Sequence, residues 1–574
     1  RYRGGEYRPE IINTDQGGRL MNKTAILHIP ESQYSFAYGE HELRIRLRAA
    51  RGDLDSVTLI YAVKYDWLTH RKSCPMRKSY SDDLYDYYTA ALSVPDPRIG
   101  YIFYLTSGEE AYYYSEEGLT LDYDHKKSYY NFFQYPYINA ADVHRKVDWC
   151  DKAVFYQIFV DRFCCGDAQK DRTYINRTWG ELPDAKSFYG GDLKGVTQKL
   201  GYLQELGVTA LYLTPVFSSP SNHKYDTVDY YRVDEMFGSA ADLKELVQRA
   251  HERGMKVVLD AVFNHCSMRC AQFQDVLQKG RASCYYDWFI IRGDVPDPER
   301  RNYECFAACS YMPKWNTSNE EVQEYLLDIA LYWMRECSVD GWRLDVADEV
   351  SHDFWRRFRK AVKRENPQAI LIGESWHDAN PWLRGDEFDG IMNYSFTKAC
   401  IDYFAKGTRS VQSFCDRLNE LLMRNTDQVN EMMLNLLDSH DTERFLTLAK
   451  ENTAALRCAL AVLFFFPGMP CVCYGTEIGM IGEYEPDSRR TFDWNEAHWD
   501  RSLWETVHAL ARLKQEKIRG AARLYTQGEL LVMERETCSL IVNFTDDVLT
   551  YAAHACYHVI GARSYVVIDK EESA

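Results

Sequence analysis

Short apolar runs that end in a charged residue constrain this chain more than any other feature of its sequence. Three of them end in carboxylic acids: Gly341–Asp345, Ile370–Glu374 and Leu436–Asp441. Apolar runs of this length indicate parallel strands buried on both faces, and the carboxyl ends of barrel strands meet at one rim. We therefore expect the three acids to converge.

Converging carboxylates are typical of glycosidic bond cleavage. One acid must donate a proton to the leaving oxygen, while another supports the positive charge that develops at the anomeric carbon. The pattern therefore indicates a sugar hydrolase.

Eight apolar runs after residue 150 alternate with amphipathic helices. The predicted strands are Val154–Val160, Ala210–Pro215, Lys256–Val262, Val339–Asp345, Ile370–Glu374, Gly390–Asn393, Met432–Leu437 and Cys471–Gly475. One intervening helix has a single apolar face formed by Leu243, Leu246, Val247 and Ala250, and it ends near Gly254. Eight strands with helical crossovers favour a (β/α)8 TIM barrel over an open doubly wound sheet, which normally has fewer strands and a Gly-x-Gly-x-x-Gly loop.

The catalytic barrel is expected to span residues 150–517, with additional β structure at both ends. Residues 21–123 alternate polar and apolar residues in short runs, which predicts an N-terminal antiparallel β-sandwich. Residues 518–574 predict a small C-terminal β domain. The predicted fold class is α/β.

Three further segments complete the predicted organisation. Residues 124–149 are expected to form a linker or a packed strap. Residues 266–319 form a loop-rich insertion after the third barrel strand, where insertions generally shape a substrate cleft. Residues 1–20 have no secretory signal pattern, and we expect a cloning remnant or a flexible arm before Met21.

The composition excludes several classes of partner. A net charge of −17 offers no basic surface for nucleic acid or anionic lipid, and no apolar stretch is long enough to span a bilayer. The 17 cysteines are odd in number and scattered, which predicts reduced thiols in a cytoplasmic protein. A neutral polyol substrate fits this charge balance.

Cysteine-bound zinc is an alternative that the spacing does not favour. The candidates are Cys266, Cys270, Cys305 and Cys309. No pair among them has the two-residue gap of common structural zinc sites, and no regular histidine pair follows. We therefore expect no metal at these thiols.

Asp345 has the surroundings of a nucleophile. Arg343 lies two residues before it, so both side chains face the same way on a strand. A guanidinium there favours the ionised carboxylate by lowering the pKa of Asp345. The alternative is a structural ion pair at the barrel rim, which is the commoner role of an isolated Arg-x-Asp pattern; the accompanying acids and motifs favour the nucleophile here.

Glu374 has the surroundings of a general acid. It follows Gly373 and precedes Ser375, Trp376 and His377, so an aromatic surface can shield its carboxyl from water. A shielded carboxylic acid tends to keep the proton that a leaving oxygen needs. A helix-capping acid or a solvated loop residue is the alternative.

Histidines and a tyrosine at other strand ends are candidate sugar contacts. His265 and His440 can hydrogen-bond sugar hydroxyls, although a histidine at a rim is often only a satisfied structural residue. Tyr225, between His223 and Asp226, offers an aromatic face for stacking on a sugar ring. Loop packing is the alternative for Tyr225.

Several ordered motifs together resemble glycoside hydrolase family 13, the alpha-amylase superfamily, and most closely its neopullulanase, cyclomaltodextrinase and maltogenic amylase branch. The motifs are Gly190–Gly195, His223–Thr227, Asp260–His265, Met312–Asn316, Gly341–Glu349, Gly373–His377 and Leu437–Asp441. The resemblance covers about residues 150 to 500.

The resemblance implies a retaining hydrolase of α-1,4-glucosidic bonds in cyclomaltodextrins, pullulan, starch and malto-oligosaccharides. It makes Asp345 the nucleophile, Glu374 the acid/base and Asp441 the third acid, with the first two carboxyls about 5 Å apart. The substrate-binding residues that it implies are His223, Tyr225, Asp226, His265, Arg343, Trp376, His440 and Arg489. Transfer to a sugar acceptor is an expected side activity.

Two other functions stay open from the sequence. One is an exo-acting alpha-glucosidase or glucanotransferase on the same scaffold, which the products from pullulan and cyclodextrins would distinguish. The other is a catalytically dead glucan-binding protein, since a fold can outlast its activity. The resemblance also implies that the sandwich is similar to carbohydrate-binding module family 34 and covers the partner's cleft in a homodimer.

The sequence departs from the family pattern where relatives often bind calcium. Asp167, Asp171 and Asp192 remain as candidate ligands, but Cys165 and Lys170 replace oxygen ligands, which calcium needs. An ammonium group can neutralise such a site in place of the ion, so we expect no cofactor, with calcium weak or absent. Two further departures, Thr476 for Asp and Asp348 for Asn, leave the three acids intact.

Overall fold

The computed structural model describes residues 20–126, 131–553 and 556–570 of the chain. The chain divides into two compact units, residues 1–143 and residues 144–574. The expectation for residues 1–20 falls, apart from Leu20, outside the described residues.

The first unit is built from antiparallel strands in two sheets. Its strands are Ser35–Gly39, Glu42–Ala50, Ser56–Val63, Lys72–Pro75, Arg77–Ser81, Tyr85–Ser93, Ile99–Ser107, Glu110–Ser115, Gly118–Thr120 and Phe133–Tyr135. In Glu42–Ala50, which pairs with Tyr85–Ser93, the alternating residues Leu43, Ile45 and Leu47 are completely buried. Alternation at a period of two is what places one face of a strand in a sandwich core.

The segment at residues 124–149 contributes to this unit in part. Phe133–Tyr135 pairs antiparallel with Ile99–Tyr101, and Phe133 is buried in the core of the unit. Phe133–Tyr135 is therefore part of the packed sheet structure of the first unit.

The second unit contains a sheet of eight parallel strands that nearly closes on itself. In chain order the strands are Phe155–Ile158, Ala210–Leu213, Lys256–Ala261, Gly341–Leu344, Ile370–Gly373, Gly390–Ile391, Leu434–Leu436 and Met469–Cys473. A parallel bridge between Met392 and Leu434 joins the two edge strands, and Asn393 N donates to Leu434 O at 2.8 Å. The predicted (β/α)8 barrel class is confirmed, and seven of the eight strands are shorter than the predicted apolar runs.

Helices connect the strands and cover the barrel. They are Val160–Phe163, Leu193–Gln198, Leu200–Leu206, Ala240–His251, Ala271–Lys279, Glu320–Cys337, His352–Glu365, Tyr394–Cys400, Ile401–Ala405 (a π-helix), Val411–Met423, Asp427–Met432, Phe445–Leu448, Thr453–Phe465 and Arg501–Glu516. Ser239 and Asp242 form a capping box at the start of Ala240–His251, and the predicted apolar face of this helix is buried. Each capping group satisfies an amide that has no partner within the helix.

Close strand packing brings the functional residues together. A Cβ on Gly341 would lie 2.3 Å from the carbonyl oxygen of Ile370, so only glycine fits where these two strands meet. Further along the same strands, Arg343 pairs with Ile372 and also with Asp260 of the preceding strand.

The inserted segment after the third strand is anchored to the barrel at its end. It contains Ala271–Lys279, and a bridge joins His265 to Lys314.

After the barrel, the chain forms strands Arg523–Gln527, Leu530–Glu534, Cys538–Asn543, Leu549–Ala553, Cys556–Ile560 and Ser564–Asp569. Within residues 20–126, 131–553 and 556–570, no helix combines the length and apolarity that crossing a bilayer requires.

Candidate active site

Arg343 lies at the centre of the carboxyl end of the barrel, surrounded by acids. Its Nη1 is 2.7 Å from Asp345 Oδ1 and 3.1 Å from Asp260 Oδ1. Its Nη2 is 3.0 Å from Glu374 Oε1 and 3.9 Å from Asp441 Oδ2. The structure therefore brings together the three acids that the sequence analysis singled out, around one guanidinium.

Strand geometry explains this convergence. Asp345 and Glu374 each follow the last residue of a neighbouring parallel strand, so both carboxyls leave the sheet at the same height. Asp260 lies one residue before the end of the preceding strand and is the direct neighbour of Arg343. Parallel register thus converts three separate sequence positions into one cluster.

Asp345 is 5% exposed, and its Oδ2 has no hydrogen-bond partner among the described residues. Burial raises the pKa of Asp345 well above its ordinary value, Arg343 opposes this, and the charges of Glu374 and Asp260 add to it. Arg343 lowers the pKa of Asp345 as expected, but burial outweighs it, so the net shift is upward. One guanidinium cannot offset burial together with several neighbouring carboxylates.

Glu374 is held by the segment that follows the nucleophile candidate. Val346 N donates to Glu374 Oε2 at 2.9 Å, and Trp376 Nε1 donates to Oε1 at 3.3 Å. The Trp376 ring stacks on Tyr394, with centroids 3.8 Å apart, and remains 46% exposed. This exposed aromatic surface beside Glu374 can contact a sugar ring on the leaving side.

Asp441 carries its own cationic partner. Arg489 Nη2 lies 3.1 Å from Asp441 Oδ1 and also forms an ion pair with Glu485. Arg489 Nε donates to the carbonyl oxygen of His440 at 2.7 Å, and His440 Nε2 is 3.1 Å from Asp441 Oδ1. The side chain of Asp441 is 24% exposed and thus more open to the cleft than Asp345.

Tyr225 and His440 form a parallel stack at the same rim. Their ring centroids are 5.6 Å apart and their planes differ by 6°. His223 stacks on Tyr225 at 5.9 Å. Burial lowers the pKa of His440 well below its ordinary value, and Arg489 and Arg343 add to the shift, so His440 is neutral.

His265 is buried after the third barrel strand, with one ring nitrogen unpaired. It is 1% exposed, stacks on Phe306 with centroids 4.9 Å apart, and its Nε2 has no hydrogen-bond partner within the described part of the chain. Burial, assisted by Lys314, lowers its pKa to about 3. A neutral imidazole with an unpaired nitrogen is suited to bind a sugar hydroxyl.

Asp226 belongs to the loop below Tyr225. Its Oδ1 accepts a hydrogen bond from Ser219 Oγ at 2.6 Å and another from Ser221 Oγ, and the residue is buried. These contacts shape the loop that carries Tyr225. The structure therefore does not bring Asp226 to the acid cluster as it brings Arg489.

The candidate calcium ligands surround an ammonium group. Lys170 Nζ lies 2.9 Å from Asp192 Oδ2 and donates to the carbonyl oxygens of Gly190 at 2.6 Å and Met236 at 3.0 Å. Asp167 is paired with Lys194 Nζ at 2.6 Å. The oxygen atoms that could bind a cation are thus occupied by lysine, and these residues do not fit calcium.

The remaining candidate, Asp171, caps a turn. It accepts hydrogen bonds from Thr173 N at 2.8 Å and Thr173 Oγ1 at 2.9 Å. Among the residues that the structure describes, no group of three or more His, Cys, Asp or Glu side chains has the arrangement to hold a metal ion.

Comparison with known families identifies the barrel. Residues 157–520 match the family described as alpha amylase, catalytic domain, and residues 21–139 match the alpha amylase N-terminal ig-like domain. This chain belongs to the alpha-amylase family. It is therefore a glycoside hydrolase by family, as its acid cluster indicated.

Relatives of this alpha-amylase family member cover most of its length. A cyclomaltodextrinase of Thermoanaerobacter pseudethanolicus is 45% identical over 90% of this chain and 91% of its own. An intracellular maltogenic amylase of Bacillus subtilis is 42% identical over 89% and 86%. A solved cyclomaltodextrinase structure superposes with a TM-score of 0.88 at 38% identity, over 93% and 94%.

Sequence reasoning gave no role to three residues of the alpha-amylase site. Asp260 binds Arg343, Tyr394 supports Trp376, and Gln157 holds His440, with Gln157 Nε2 2.8 Å from His440 Nδ1. Asp260 is the first residue of the motif Asp260–His265, and a charged residue inside an apolar strand is a signal in the sequence that could have indicated its role. Gln157 is an uncharged residue within an apolar run, and the sequence carries no signal for it.

Proposed function

We propose that this protein is a retaining hydrolase of α-1,4-glucosidic bonds in cyclomaltodextrins, pullulan, starch and malto-oligosaccharides. The observation that carries the proposal is the shared guanidinium of Arg343, which contacts Asp345 at 2.7 Å and Glu374 at 3.0 Å. Two carboxyls on one guanidinium are compatible with the separation of about 5 Å that retaining chemistry needs. The printed names of the relatives support the substrate class.

In the proposed mechanism Asp345 is the nucleophile. Its Oδ2, which no described residue engages, attacks the anomeric carbon and forms a covalent glycosyl ester. Glu374 gives its proton to the departing glycosidic oxygen, and the bond to the leaving sugar breaks. Glu374 then takes a proton from water, which attacks the ester and releases Asp345 and a sugar of unchanged anomeric configuration.

Asp441 is proposed to hold the ring being cleaved through its hydroxyl groups. Arg489 and His440 both lie 3.1 Å from Asp441 Oδ1, which fixes the carboxylate at the open side of the cleft. Hydrogen bonds that strengthen as the ring flattens lower the barrier, because they are stronger in the transition state than in the ground state.

Trp376 is proposed to bind the sugar on the leaving side. Its ring stacks on Tyr394 and donates to Glu374, so a sugar resting on Trp376 lies next to the acid. A second sugar bound there competes with water for the glycosyl ester. Transglycosylation is therefore a proposed side reaction, with its share rising with acceptor concentration.

We infer that the enzyme works without calcium. The ammonium group of Lys170 makes contacts of 2.6 to 3.0 Å with Gly190 O, Asp192 Oδ2 and Met236 O, and supplies the positive charge that this loop needs. Lysine is a compact point charge with three donors, which suits a small group of oxygen atoms.

We also infer a homodimer formed through the N-terminal sandwich and a cytoplasmic location. The match of residues 21–139 to the N-terminal domain of the family supports the first, and the name of the Bacillus subtilis relative supports the second. Sedimentation tests the homodimer: the whole chain should have twice the mass of one chain, while residues 144–574 alone should have the mass of one such fragment. Cell fractionation tests the location.

The direct test of function is a product analysis on γ-cyclodextrin, pullulan and starch, run side by side. Maltose from the cyclodextrin and panose from pullulan are expected. Glucose alone or longer chains would favour the exo-acting glucosidase or glucanotransferase instead. Glu374→Gln is the matched control, and we expect this variant to bind glucan without turning it over. If the unmodified protein also bound glucan without turnover, the chain would be a glucan-binding protein and not an enzyme.

A further inference from the structure

Gln157 makes two hydrogen bonds to His440 that determine where the imidazole carries its proton. It lies in the first barrel strand, Phe155–Ile158, and is buried. The backbone N–H of His440 points at Gln157 Oε1 at 3.2 Å, and His440 Nδ1 lies 2.8 Å from Gln157 Nε2.

The backbone contact fixes the orientation of the amide. A backbone N–H can only donate, so the atom that faces it must be the amide oxygen. The amide NH₂ of Gln157 therefore faces His440 Nδ1 and donates to it. A nitrogen that accepts a hydrogen bond carries no proton, so the neutral ring of His440 has its proton on Nε2.

Contacts on the other side of the ring require the same tautomer independently. Tyr225 OH lies 3.0 Å from Asp260 Oδ2 and 2.6 Å from His440 Nε2. An ionised carboxylate only accepts, so the single phenolic proton is given to Asp260, and the phenolic oxygen accepts from the Nε2–H. Asp441 Oδ1, at 3.1 Å from Nε2, is a second acceptor.

We propose that Gln157 is a positioning residue that fixes His440 as the neutral Nε2–H tautomer, so that an N–H donor always faces Asp441 and the hydroxyls of the bound sugar. The proposal rests on the proposed hydrolase function. A second proton on Nδ1 would meet the NH₂ of Gln157, and two donors would then face each other. Gln157 thereby opposes protonation of His440 in addition to burial.

The titratable and charged groups that face His440 come from several elements of the barrel. They are His223, Tyr225, Arg343, Asp441, Arg444 and Arg489. The carboxylate of Asp441, 3.1 Å from Nε2, favours a charged imidazole, while the three arginines and His223 oppose it. Replacing the donor at position 157 by an acceptor therefore shifts the balance between the neutral and the protonated forms of the His440 ring.

The variant Gln157→Glu keeps the shape and the acceptor for the backbone N–H, but turns the partner of Nδ1 into an acceptor. We expect kcat/KM on γ-cyclodextrin to fall on the order of tenfold at neutral pH, because the donor on Nε2 is lost or the ring becomes charged. The pH profile should gain an ionisation that the unmodified enzyme lacks. Gln157→Met should lower kcat/KM without adding that ionisation.

Gln198→Glu is the control for added charge, since Gln198 donates to Gly166 O at an exposed position of the same barrel. An unchanged pH profile in a folded Gln157→Glu enzyme would overturn the proposal. Neutron diffraction of the unmodified protein determines the tautomer of His440 independently of the variant kinetics and of the proposed hydrolase activity. Deuterium on Nε2 alone is expected, and deuterium on Nδ1 would contradict the proposal even if hydrolysis is established.

Discussion

The backbone N–H of Val346, the residue after Asp345, donates a hydrogen bond to Glu374 Oε2 at 2.9 Å. The chain therefore uses the backbone of the nucleophile strand to orient the acid on the next strand. Val346 adopts a φ of +45°, which is unusual for a β-branched residue. Such a conformation costs roughly 1–3 kcal/mol and persists where the surrounding structure enforces it.

Val346→Gly tests whether the amide or the side chain matters at this position. Glycine keeps the N–H and adopts the positive φ without a Cβ penalty, so we expect kcat within about threefold of the unmodified enzyme and no loss of melting temperature. Val350→Gly is the matched control, because Val350 has a φ of −98° and its change to glycine brings only destabilisation. A large loss of kcat in a stable Val346→Gly enzyme would assign the role to the side chain.

Arg343 is completely buried and contacts Asp345 and Glu374 through different nitrogen atoms. Lysine has one nitrogen and cannot serve both acids, so Arg343→Lys should lower kcat/KM by roughly 10- to 100-fold while the protein stays folded. Arg343→Met leaves buried carboxylates without a counter-charge and should cost about 3–5 kcal/mol of stability. Enzyme kinetics and urea unfolding measure the two effects, and a methionine variant as stable as the unmodified enzyme would contradict the account.

His265 makes stability depend on pH in a defined direction. Burial lowers its pKa to about 3, while an unfolded histidine titrates near 6.5, so below that pH the unfolded chain binds one more proton than the folded chain. Stability from this group is complete above the unfolded pKa and is lost as pH falls, by about 1.4 kcal/mol per unit. The free energy of unfolding should fall less between pH 6 and pH 4.5 in His265→Gln than in the unmodified protein. Equal falls in the two proteins would contradict the lowered pKa of His265.

Lys170 should make the folded enzyme indifferent to calcium. Chelator is expected to leave the activity and melting temperature of the unmodified protein nearly unchanged. Lys170→Asp removes the ammonium group from the oxygen atoms around Asp192 and should make the melting temperature rise with added calcium, since carboxylate and carbonyl oxygens are calcium ligands. Lys194→Asp is the control for a charge change beside Asp167. A large drop in the melting temperature of the unmodified protein in chelator would show that the loop binds an ion.

The sequence predicts the barrel and its acids because both depend on local patterns. Apolar runs that end in Asp345 and Glu374 have the length and composition of buried parallel strands, and parallel strands share one functional rim. The sequence pattern predicts the eighth strand two residues late, because Met469–Cys473 contains Pro470, which lacks an N–H and normally marks a strand boundary.

The remaining features depend on what the fold brings close. Burial raises the pKa of Asp345, and the charges of Glu374 and of Asp260, 85 residues earlier, add to the rise; only the folded barrel and its strand register bring these groups together. Gln157 is recognisable as functional only beside His440, 283 positions later. Side-chain orientation also separates Asp226 from the acids, although it lies next to Tyr225 in the sequence.

Covalent trapping tests the assignment of Asp345 and Glu374 most directly. The variant Glu374→Gln, given an activated donor such as α-maltosyl fluoride, lacks the base that activates water and should accumulate a glycosyl ester. Digestion and mass spectrometry should place one maltosyl group on Asp345. A label on any acid other than Asp345, or release of a product of inverted configuration by the unmodified enzyme, would contradict the account.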